Sequence, residues 1–195
     1  MPLHRICVFC GSNTGSRPAY RSATEQLGSL LAARAIDLVY GGGNIGLMGV
    51  LADSVLAHGG HVIGVIPDFM LAKEIAHNGL TELRIVSSMH ERKAIMSDLS
   101  DGFIALPGGF GTFEEFCEVV TWSQLGLQSK PCGVLNVERY YAPLLELFDS
   151  AVREGFLREG NRHLVLDDED PVRLLEKMAE FKAVPVEKWI GREER

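Results

Sequence analysis

The sequence predicts an α/β protein in which helices cover both faces of one doubly wound parallel sheet of about seven strands, giving three layers. Short runs rich in valine and isoleucine alternate with helix-period patterns almost without exception along the chain. Right-handed crossovers between parallel strands place each intervening helix against the sheet. A chain of 195 residues suits a single domain of this kind, and its sequence shows no repeat of fixed period.

The predicted strands are short apolar runs at residues 5–10, 37–40, 61–66, 83–86, 103–106, 133–137 and 164–166. The predicted helices lie between them at residues 18–34, 47–57, 89–100, 113–125 and 141–154, and a last helix follows at 171–181. In the helix at 113–125, Phe113, Phe116, Cys117 and Val120 repeat at i, i+3, i+4 and i+7 and mark its buried face. We expect residues 1–184 to form the domain and residues 185–195 to form a charged C-terminal tail.

Composition excludes several classes of protein. The formal net charge of -7 argues against binding to nucleic acid or to a membrane surface, because both are polyanions. No stretch approaches the roughly 20 apolar residues that span a bilayer. The four cysteines are scattered through a chain that can bury its own core, which predicts reduced thiols in a cytoplasm. The C-x-x-C of Cys7 and Cys10 lies inside a predicted strand, so we interpret both as structural.

The first of two glycine-rich loops is YGGGNIGLMG at residues 40–49, where Gly41, Gly43 and Gly46 match G-x-G-x-x-G. This loop follows the second predicted strand, whereas a dinucleotide fingerprint normally follows the first. The acid about 20 residues further on, Asp68, lies in a loop instead of at the end of the next strand. NAD or FAD binding is therefore disfavoured.

The second glycine-rich loop, LPGGFGT at residues 106–112, also joins a strand to a helix. Glycines let backbone N–H groups turn toward a bound oxyanion, and a helix N-terminus adds about half a positive charge. A turn after the first strand offers the Ser12 hydroxyl at the same edge of the sheet. Neither loop ends in the G-K-[ST] of a P-loop, so a monophosphate fits better than a triphosphate. The alternative is that the glycines only form tight turns.

Two cations and one carboxylate need an explanation. Arg92 and Lys93 lie near the start of a helix, where cations are unfavourable by about 0.3 to 1 kcal/mol, so an anionic ligand would account for them. Glu115 has two interpretations, because Thr112-x-x-Glu115 has the spacing of a capping box while the same carboxylate borders an anion-holding loop. The six histidines show no metal-ligand spacing, so the sequence predicts no metal site.

These motifs resemble those of a known family. PGGFGTFEE at residues 107–115 resembles the P-G-G-x-G-T-x-x-E motif of the LONELY GUY (LOG) phosphoribohydrolases, and MHERK at residues 89–93 resembles their arginine-lysine motif. The similarity continues through CVFCGS, YGGGNIGLMG, VIGVIP and KPCGVLN, and so covers most of the chain. The resemblance implies a Rossmann-like homodimer without a cofactor that hydrolyses the N-glycosidic bond of AMP or of N6-substituted cytokinin riboside 5'-monophosphates.

The resemblance also implies roles for individual residues. The catalytic pair is Arg92 and Glu115. The substrate-binding residues are Glu74, Lys93, Gly109, Phe110, Gly111, Thr112, Glu115 and Thr121. The phosphate-binding residues that we expect from the three loops are Ser12, Gly43, Asn44, Gly46, Gly109, Gly111 and Thr112. Glu114 is interpreted as a solvent-exposed or capping carboxylate.

Several chemical alternatives remain open at this point. Glu115 either deprotonates a water molecule or attacks the anomeric carbon, and Arg92 is expected to orient the sugar against it. Members of the family have often been labelled lysine decarboxylases, but that reaction needs a lysine to hold pyridoxal phosphate, and Lys93 already has a role beside Arg92. The alternative from another class is a non-hydrolytic binder of a nucleotide or a phosphorylated cofactor, like the molybdenum cofactor carriers.

Overall fold

The computed structural model describes residues 3–71 and 76–182, which contain one parallel sheet of seven strands. The strands are β1 (Arg5–Phe9), β2 (Asp37–Tyr40), β3 (Val62–Pro67), β4 (Glu82–Val86), β5 (Gly102–Ala105), β6 (Cys132–Leu135) and β7 (Val165–Asp168). Their order across the sheet is β4-β3-β2-β1-β5-β6-β7. The predicted fold class and number of strands are confirmed. The predicted domain end and the tail at 185–195 lie outside the described residues.

Helices fill the connections between strands. They are α1 (Pro18–Ala33), α2 (Gly46–Ala57), α3 (Met89–Leu99), α4 (Phe110–Gln124), α5 (Ala142–Arg153), α6 (Glu159–Arg162) and α7 (Pro171–Glu180). All six predicted helices are present, whereas the four-residue α6 escapes prediction because it is too short to show a helical period. Over the two ranges that the structure covers, we find no helix with the length and apolar character needed to cross a membrane.

The helices form a layer on each face of the sheet. One core cluster contains Leu27 of α1, Leu51 of α2 and Leu174 of α7, together with side chains from one face of the strands. The other cluster contains apolar side chains of α3, α4 and α5 with side chains from the opposite face. This division is the doubly wound, three-layer arrangement that the alternation of elements predicts.

The chain changes face at the centre of the sheet, where β1 and β5 are neighbours. Ile6 of β1 pairs with Leu38 of β2 on one side and with Gly102 of β5 on the other. The helix after β1 packs on one face and the helix after β5 packs on the other. Such a switch point opens a crevice beyond the carboxyl ends of the strands, where ligands bind in open α/β sheets.

Helix α4 begins at Phe110, three residues before the predicted start at Phe113. The N-cap is Gly109 in an extended conformation, and the Phe113 N–H donates to the Gly109 carbonyl at 3.1 Å. Phe110 fits the apolar period three residues before Phe113, but the glycines on either side of it indicate a loop, so the sequence did not predict this first turn. Thr112 therefore lies inside the helix, and the interpretation of Thr112 and Glu115 as a capping box is wrong.

Cys7 of β1 and Cys10, the residue that follows this strand, contact core clusters on opposite faces of the sheet. Cys7 is fully buried in the cluster with α3 and α4, whereas Cys10 packs against the cluster with α1 and α2. Burial raises the pKa of both thiols, and the charge of Glu115 raises it further. Both cysteines are free thiols with a raised pKa, Cys7 buried as expected for a structural cysteine and Cys10 only partly buried.

Candidate active site

Three loops meet at the carboxyl edge of the sheet. They are the β1 loop (residues 11–15), the β2 loop (residues 41–45) and the β5 loop (residues 106–109). The Gly11 N–H donates to the Pro107 carbonyl, and the Leu47 N–H donates to the Gly11 carbonyl, both at 3.0 Å. The β1 loop is therefore hydrogen-bonded to the β5 loop and to the first turn of α2.

Two glycines allow the loops to approach this closely. Gly46 has a φ of 59°, and a Cβ there would collide with the backbone of Ser12 and Asn13. A Cβ on Gly108 would collide with the Thr112 side chain and would lie 2.9 Å from the Gly11 nitrogen. The Gly46 and Gly108 positions are thus occupied by glycine for close packing, in agreement with the turn interpretation.

A cavity of about 200 Å³ lies between the β1 and β5 loops at the switch point. Its lining includes Ser12, Gly109 and the rings of Tyr20 and Tyr140. The first backbone N–H groups of α4 lie beside it, since Gly109 is the N-cap of that helix. Gly109 and Gly111 are exposed, and a Cβ on either would meet no atom within 4 Å. This arrangement gives an oxyanion access to a helix N-terminus.

Two tyrosines that the sequence did not indicate as site residues hold the β5 loop through hydrogen bonds to its carbonyl groups. The Tyr140 hydroxyl donates to the Gly108 carbonyl, and the Tyr141 hydroxyl donates to the Leu106 carbonyl at 2.6 Å. The Tyr140 ring also packs edge-on against Tyr20, with centroids 5.8 Å apart. The only sequence signal for this role is a pair of aromatic residues soon after β6, which does not by itself predict contact with another loop.

Arg92 extends from the first turn of α3 to the ends of two strands. The side chain is only 4% exposed, as expected for the edge of the buried face. Its Nε donates to the Val65 carbonyl of β3 at 3.1 Å, and its Nη2 donates to the Gly41 carbonyl after β2 at 2.9 Å. The sulfur atoms of Met70 and Met89 each lie 3.8 Å from Nη1. The guanidinium is therefore fixed in direction by main-chain acceptors.

Glu115 lies in the second turn of α4, half-buried, and lines a small cavity with Phe9 and Phe103. Cys7 belongs to β1, the strand between β2 and β5, and relates the position of Glu115 to that of Arg92. Burial raises the pKa of the Cys7 thiol, the Glu115 carboxylate raises it further, and the Arg92 guanidinium lowers it. Both candidate catalytic residues therefore lie within electrostatic range of one buried thiol.

Lys93 connects α3 to α4. Its Nζ lies 2.7 Å from Glu114 and 3.0 Å from Glu118, and the lysine side chain is 13% exposed. Burial lowers the pKa of Lys93, but the hydrogen bonds that its ammonium donates to both carboxylates, and the charges of those carboxylates, outweigh this effect and raise the pKa overall. Glu114 is exposed as expected, but it is an ion-pair partner of Lys93 and does not cap a helix.

The other residues expected at the site are distributed along the same edge. Gly43 is buried and forms an antiparallel bridge with Ala76, whereas Asn44 is exposed; neither lines the cavity at the switch point. Phe110 is 93% exposed at the start of α4. Thr121 is exposed and its hydroxyl donates to the Cys117 carbonyl of its own helix at 2.7 Å. Glu74 lies outside the described residues.

Metal-ligating side chains do not cluster in the part of the chain that the structure covers. Within residues 3–71 and 76–182, no group of three or more histidine, cysteine, aspartate or glutamate residues is placed to hold a metal ion.

Similarity to solved structures supports the same fold. A molybdenum cofactor binding protein of the phototrophic bacterium Rippkaea orientalis superposes with a TM-score of 0.67 at 20% identity, over 92% of this chain and 98% of that one. The molybdenum cofactor carrier protein of Chlamydomonas reinhardtii gives a TM-score of 0.67 at 18% identity, over 91% and 98%. At such low identity, the likeness is one of fold alone.

Sequence similarity is much closer to another group. A family model described as "possible lysine decarboxylase" matches residues 48–178. A rice (Oryza sativa subsp. japonica) protein named as a probable cytokinin riboside 5'-monophosphate phosphoribohydrolase is 52% identical, over 94% of this chain and 80% of its own length. A cytokinin riboside 5'-monophosphate phosphoribohydrolase of Arabidopsis thaliana is 50% identical over 91% and 83%. With its paired arginine and glutamate motifs and its doubly wound sheet, the chain belongs to the LONELY GUY (LOG) family of phosphoribohydrolases.

Proposed function

We propose that this protein hydrolyses the N-glycosidic bond of cytokinin riboside 5'-monophosphates, or of AMP, to a free base and ribose 5-phosphate. The observation that carries the proposal is a buried arginine, Arg92, hydrogen-bonded to carbonyls at β3 and just after β2, together with the carboxylate of Glu115 on α4, the helix whose N-terminus borders the crevice. A protein that only binds a nucleotide needs the helix N-terminus but has no need of this charged pair. About half of the residues are identical to those of relatives named for the reaction.

The reaction assigns a role to each part of the site. Breaking a ribosyl bond passes through a state with positive charge on the sugar, which a carboxylate stabilises. In the hydrolytic route, a water oxygen bonds to the anomeric carbon while the bond to the base breaks. Glu115 takes one proton from that water, the departing base takes up one proton from solvent on a ring nitrogen, and Glu115 then returns its proton to solvent, so that one water molecule is consumed overall. Arg92 orients the sugar, and the N-terminus of α4 binds the phosphate.

A carboxylate nucleophile remains the alternative route for Glu115. In that route the carboxylate oxygen bonds to the anomeric carbon as the base leaves, and water then hydrolyses the sugar–enzyme bond. Both routes need the charge of Glu115 beside the sugar, so both predict the same loss when that charge is removed. Trapping of a sugar–enzyme adduct by mass spectrometry distinguishes them.

A decarboxylase is the less favoured reading of the family model. Pyridoxal phosphate chemistry needs a lysine amine to form a Schiff base. Lys93 is held between Glu114 and Glu118, and the Lys130 ammonium donates to the Ser97 carbonyl at 2.6 Å, away from the crevice. These contacts support a hydrolase over a lysine decarboxylase.

The direct test is incubation with AMP and with N6-isopentenyl-AMP, followed by chromatography for the free base. Comparing kcat/KM for the two substrates identifies the preferred base. We expect Glu115→Gln to lower kcat by at least about 100-fold, as for the loss of a positioned acid or base, while nucleotide binding is retained. The neighbouring Glu114→Gln is the matched control and keeps most activity. No free base from either substrate would favour the non-hydrolytic binder.

We also propose that the protein is a homodimer. Family membership supports this, and so do two exposed apolar side chains on adjacent elements at one end of the sheet. Phe69 follows β3 and is 55% exposed, and Ile85 of the edge strand β4 is 59% exposed. Sedimentation equilibrium tests the proposal, and a monomer at micromolar concentration would contradict it.

A further inference from the structure

Gly41, the first residue after β2, is in direct contact with the candidate catalytic arginine. Its carbonyl accepts a hydrogen bond from Arg92 Nη2 at 2.9 Å. A Cβ built on Gly41 would collide with this same nitrogen, and it would lie 3.3 Å from Cζ of the guanidinium. The next neighbour of that Cβ, the Met48 sulfur, is at an ordinary contact distance of 3.6 Å. Arg92 is therefore the group that a side chain at position 41 would displace.

The backbone conformation does not require glycine at position 41. Gly42 and Gly46 of the same segment have φ values of 79° and 59°, which favour glycine whatever the surroundings. Gly41 has no such positive φ, so alanine is compatible with its conformation. Glycine at positions 42 and 46 is thus explained by the backbone conformation, whereas glycine at position 41 is explained by the guanidinium beside it.

The guanidinium has little freedom to move away from an added methyl group. Arg92 is 4% exposed, and its Nε is held by the Val65 carbonyl at 3.1 Å. On the remaining side, the sulfur atoms of Met70 and Met89 lie 3.8 Å from Nη1. A methyl group on Gly41 would therefore break the hydrogen bond to its carbonyl and rotate or shift the whole group.

We propose that Gly41 is a positioning residue for Arg92: the absence of a side chain at position 41 and the carbonyl there together set where the guanidinium lies. The assignment rests on the proposed function for its activity readout, because Arg92 acts on the sugar only if the protein cleaves a nucleotide. A displacement of about 1 Å of a catalytic group can lower a rate by about 100-fold. We expect a loss of this size in kcat for Gly41→Ala.

A double-mutant cycle with Arg92→Ala separates positioning from general damage, because substitutions that act through one contact are not additive. Gly41→Ala should lower the melting temperature and the kcat of the protein that retains Arg92. In the Arg92→Ala background, the same substitution should change neither quantity. Gly160→Ala, at an exposed glycine with no atom within 4 Å of an added Cβ, is the matched control and should leave both unchanged.

The Nε–H signal of Arg92 in an arginine side-chain ¹⁵N spectrum gives a readout that does not depend on activity. In the wild-type protein this N–H is bonded to a buried carbonyl and should exchange slowly with water. Gly41→Ala should shift the signal or speed its exchange, whereas a merely structural role of Gly41 would leave it in place. An unchanged Nε–H signal, or equal losses of stability in both backgrounds of the cycle, would overturn the proposal.

The outcomes also separate this inference from the proposed function. If the wild-type protein cleaves neither nucleotide, the proposed function fails, but the stability cycle and the Nε–H signal still test the role of Gly41. If Gly41→Ala does not fold when Arg92 is present, folding should be restored by Arg92→Ala. Failure to fold in both backgrounds would show that Gly41 is needed for another reason.

Discussion

A single backbone N–H at the start of α4 can be removed to test whether this helix binds the phosphate. Phe110 is the first residue of the helix, and its side chain is 93% exposed. Proline is favourable at this position, where its missing N–H breaks no bond within the helix. The preceding Gly109 is extended, with φ -103° and ψ -153°, and so avoids the α region that a following proline disfavours. Phe110→Pro should therefore fold normally.

The expected effect follows from the strength of one charge-assisted hydrogen bond. A hydrogen bond to a charged group is worth about 1.5–3 kcal/mol, and each 1.36 kcal/mol is a factor of ten in rate. Loss of one such bond to the phosphate should lower kcat/KM for AMP by about 10- to 150-fold. The reference variant is Phe110→Ala, which loses the same exposed ring but keeps the N–H, so that the ratio of the two variants isolates the donor.

The assay is the initial rate of adenine release, measured by chromatography for both variants with AMP and with adenosine. The alanine-to-proline ratio of kcat/KM should be about 10 to 150 with AMP and close to one with adenosine, which has no phosphate. Melting curves of the two variants confirm that both are folded. A ratio close to one with AMP would refute phosphate binding by the α4 N-terminus. A ratio with adenosine as large as that with AMP would show that the N–H contacts another part of the substrate.

Two further substitutions test the packing around the site and the charge at the far edge of the sheet. Tyr140→Phe removes the hydroxyl that donates to the Gly108 carbonyl. The loss should lower the free energy of unfolding by about 1 kcal/mol and the melting temperature by about 2–4 °C, and it should raise KM for AMP several-fold. An unchanged KM would contradict a role of Tyr140 in holding the β5 loop. Burial tends to raise the pKa of Asp168, but its hydrogen bonds and the Arg173 and Lys177 cations hold that pKa well below its usual range. Because the folded-state pKa is lower than the unfolded value of about 3.9, this carboxylate stabilises the fold above about pH 4, and the contribution is lost as the pH falls further. Asp168→Asn should therefore lower the free energy of unfolding by about 2 kcal/mol at pH 7 and by progressively less below about pH 4. Urea melts at several pH values measure this difference. A loss that is the same at all pH values would refute this account.

The elements of the fold could be predicted from local patterns because each pattern reports local geometry. Valine and isoleucine runs marked all seven strands, and the helical period marked every helix longer than one turn. The start of α4 was misplaced by three residues, because Gly109 and Gly111 on either side of Phe110 indicated a loop instead of a helix. This small error had a large consequence, since it made Thr112 look like a cap for Glu115.

The residues of the site were predicted more successfully than their contacts. Arg92 was expected at the edge of a buried face and is found there, but its acceptors are the Val65 carbonyl of β3 and the Gly41 carbonyl just after β2. Lys93 was expected to bind substrate, and its observed partners are Glu114 and Glu118 of α4. Contacts of this kind join residues far apart in the chain, so no spacing rule contains them.

The sequence by itself determined the alternation of strands and helices, the glycine loops and the paired arginine and glutamate motifs that mark the family. These features follow from side-chain periodicity and from residue types at fixed short spacings. Only the tertiary structure decided that Glu115 is not a cap, that Arg92 is fixed by Gly41 and Val65, and that Tyr140 supports the β5 loop. The contacts of Arg92 and Tyr140 depend on which strands become neighbours in the sheet, and burial of the whole chain selects that order, whereas the role of Glu115 depends on where the backbone of α4 becomes helical.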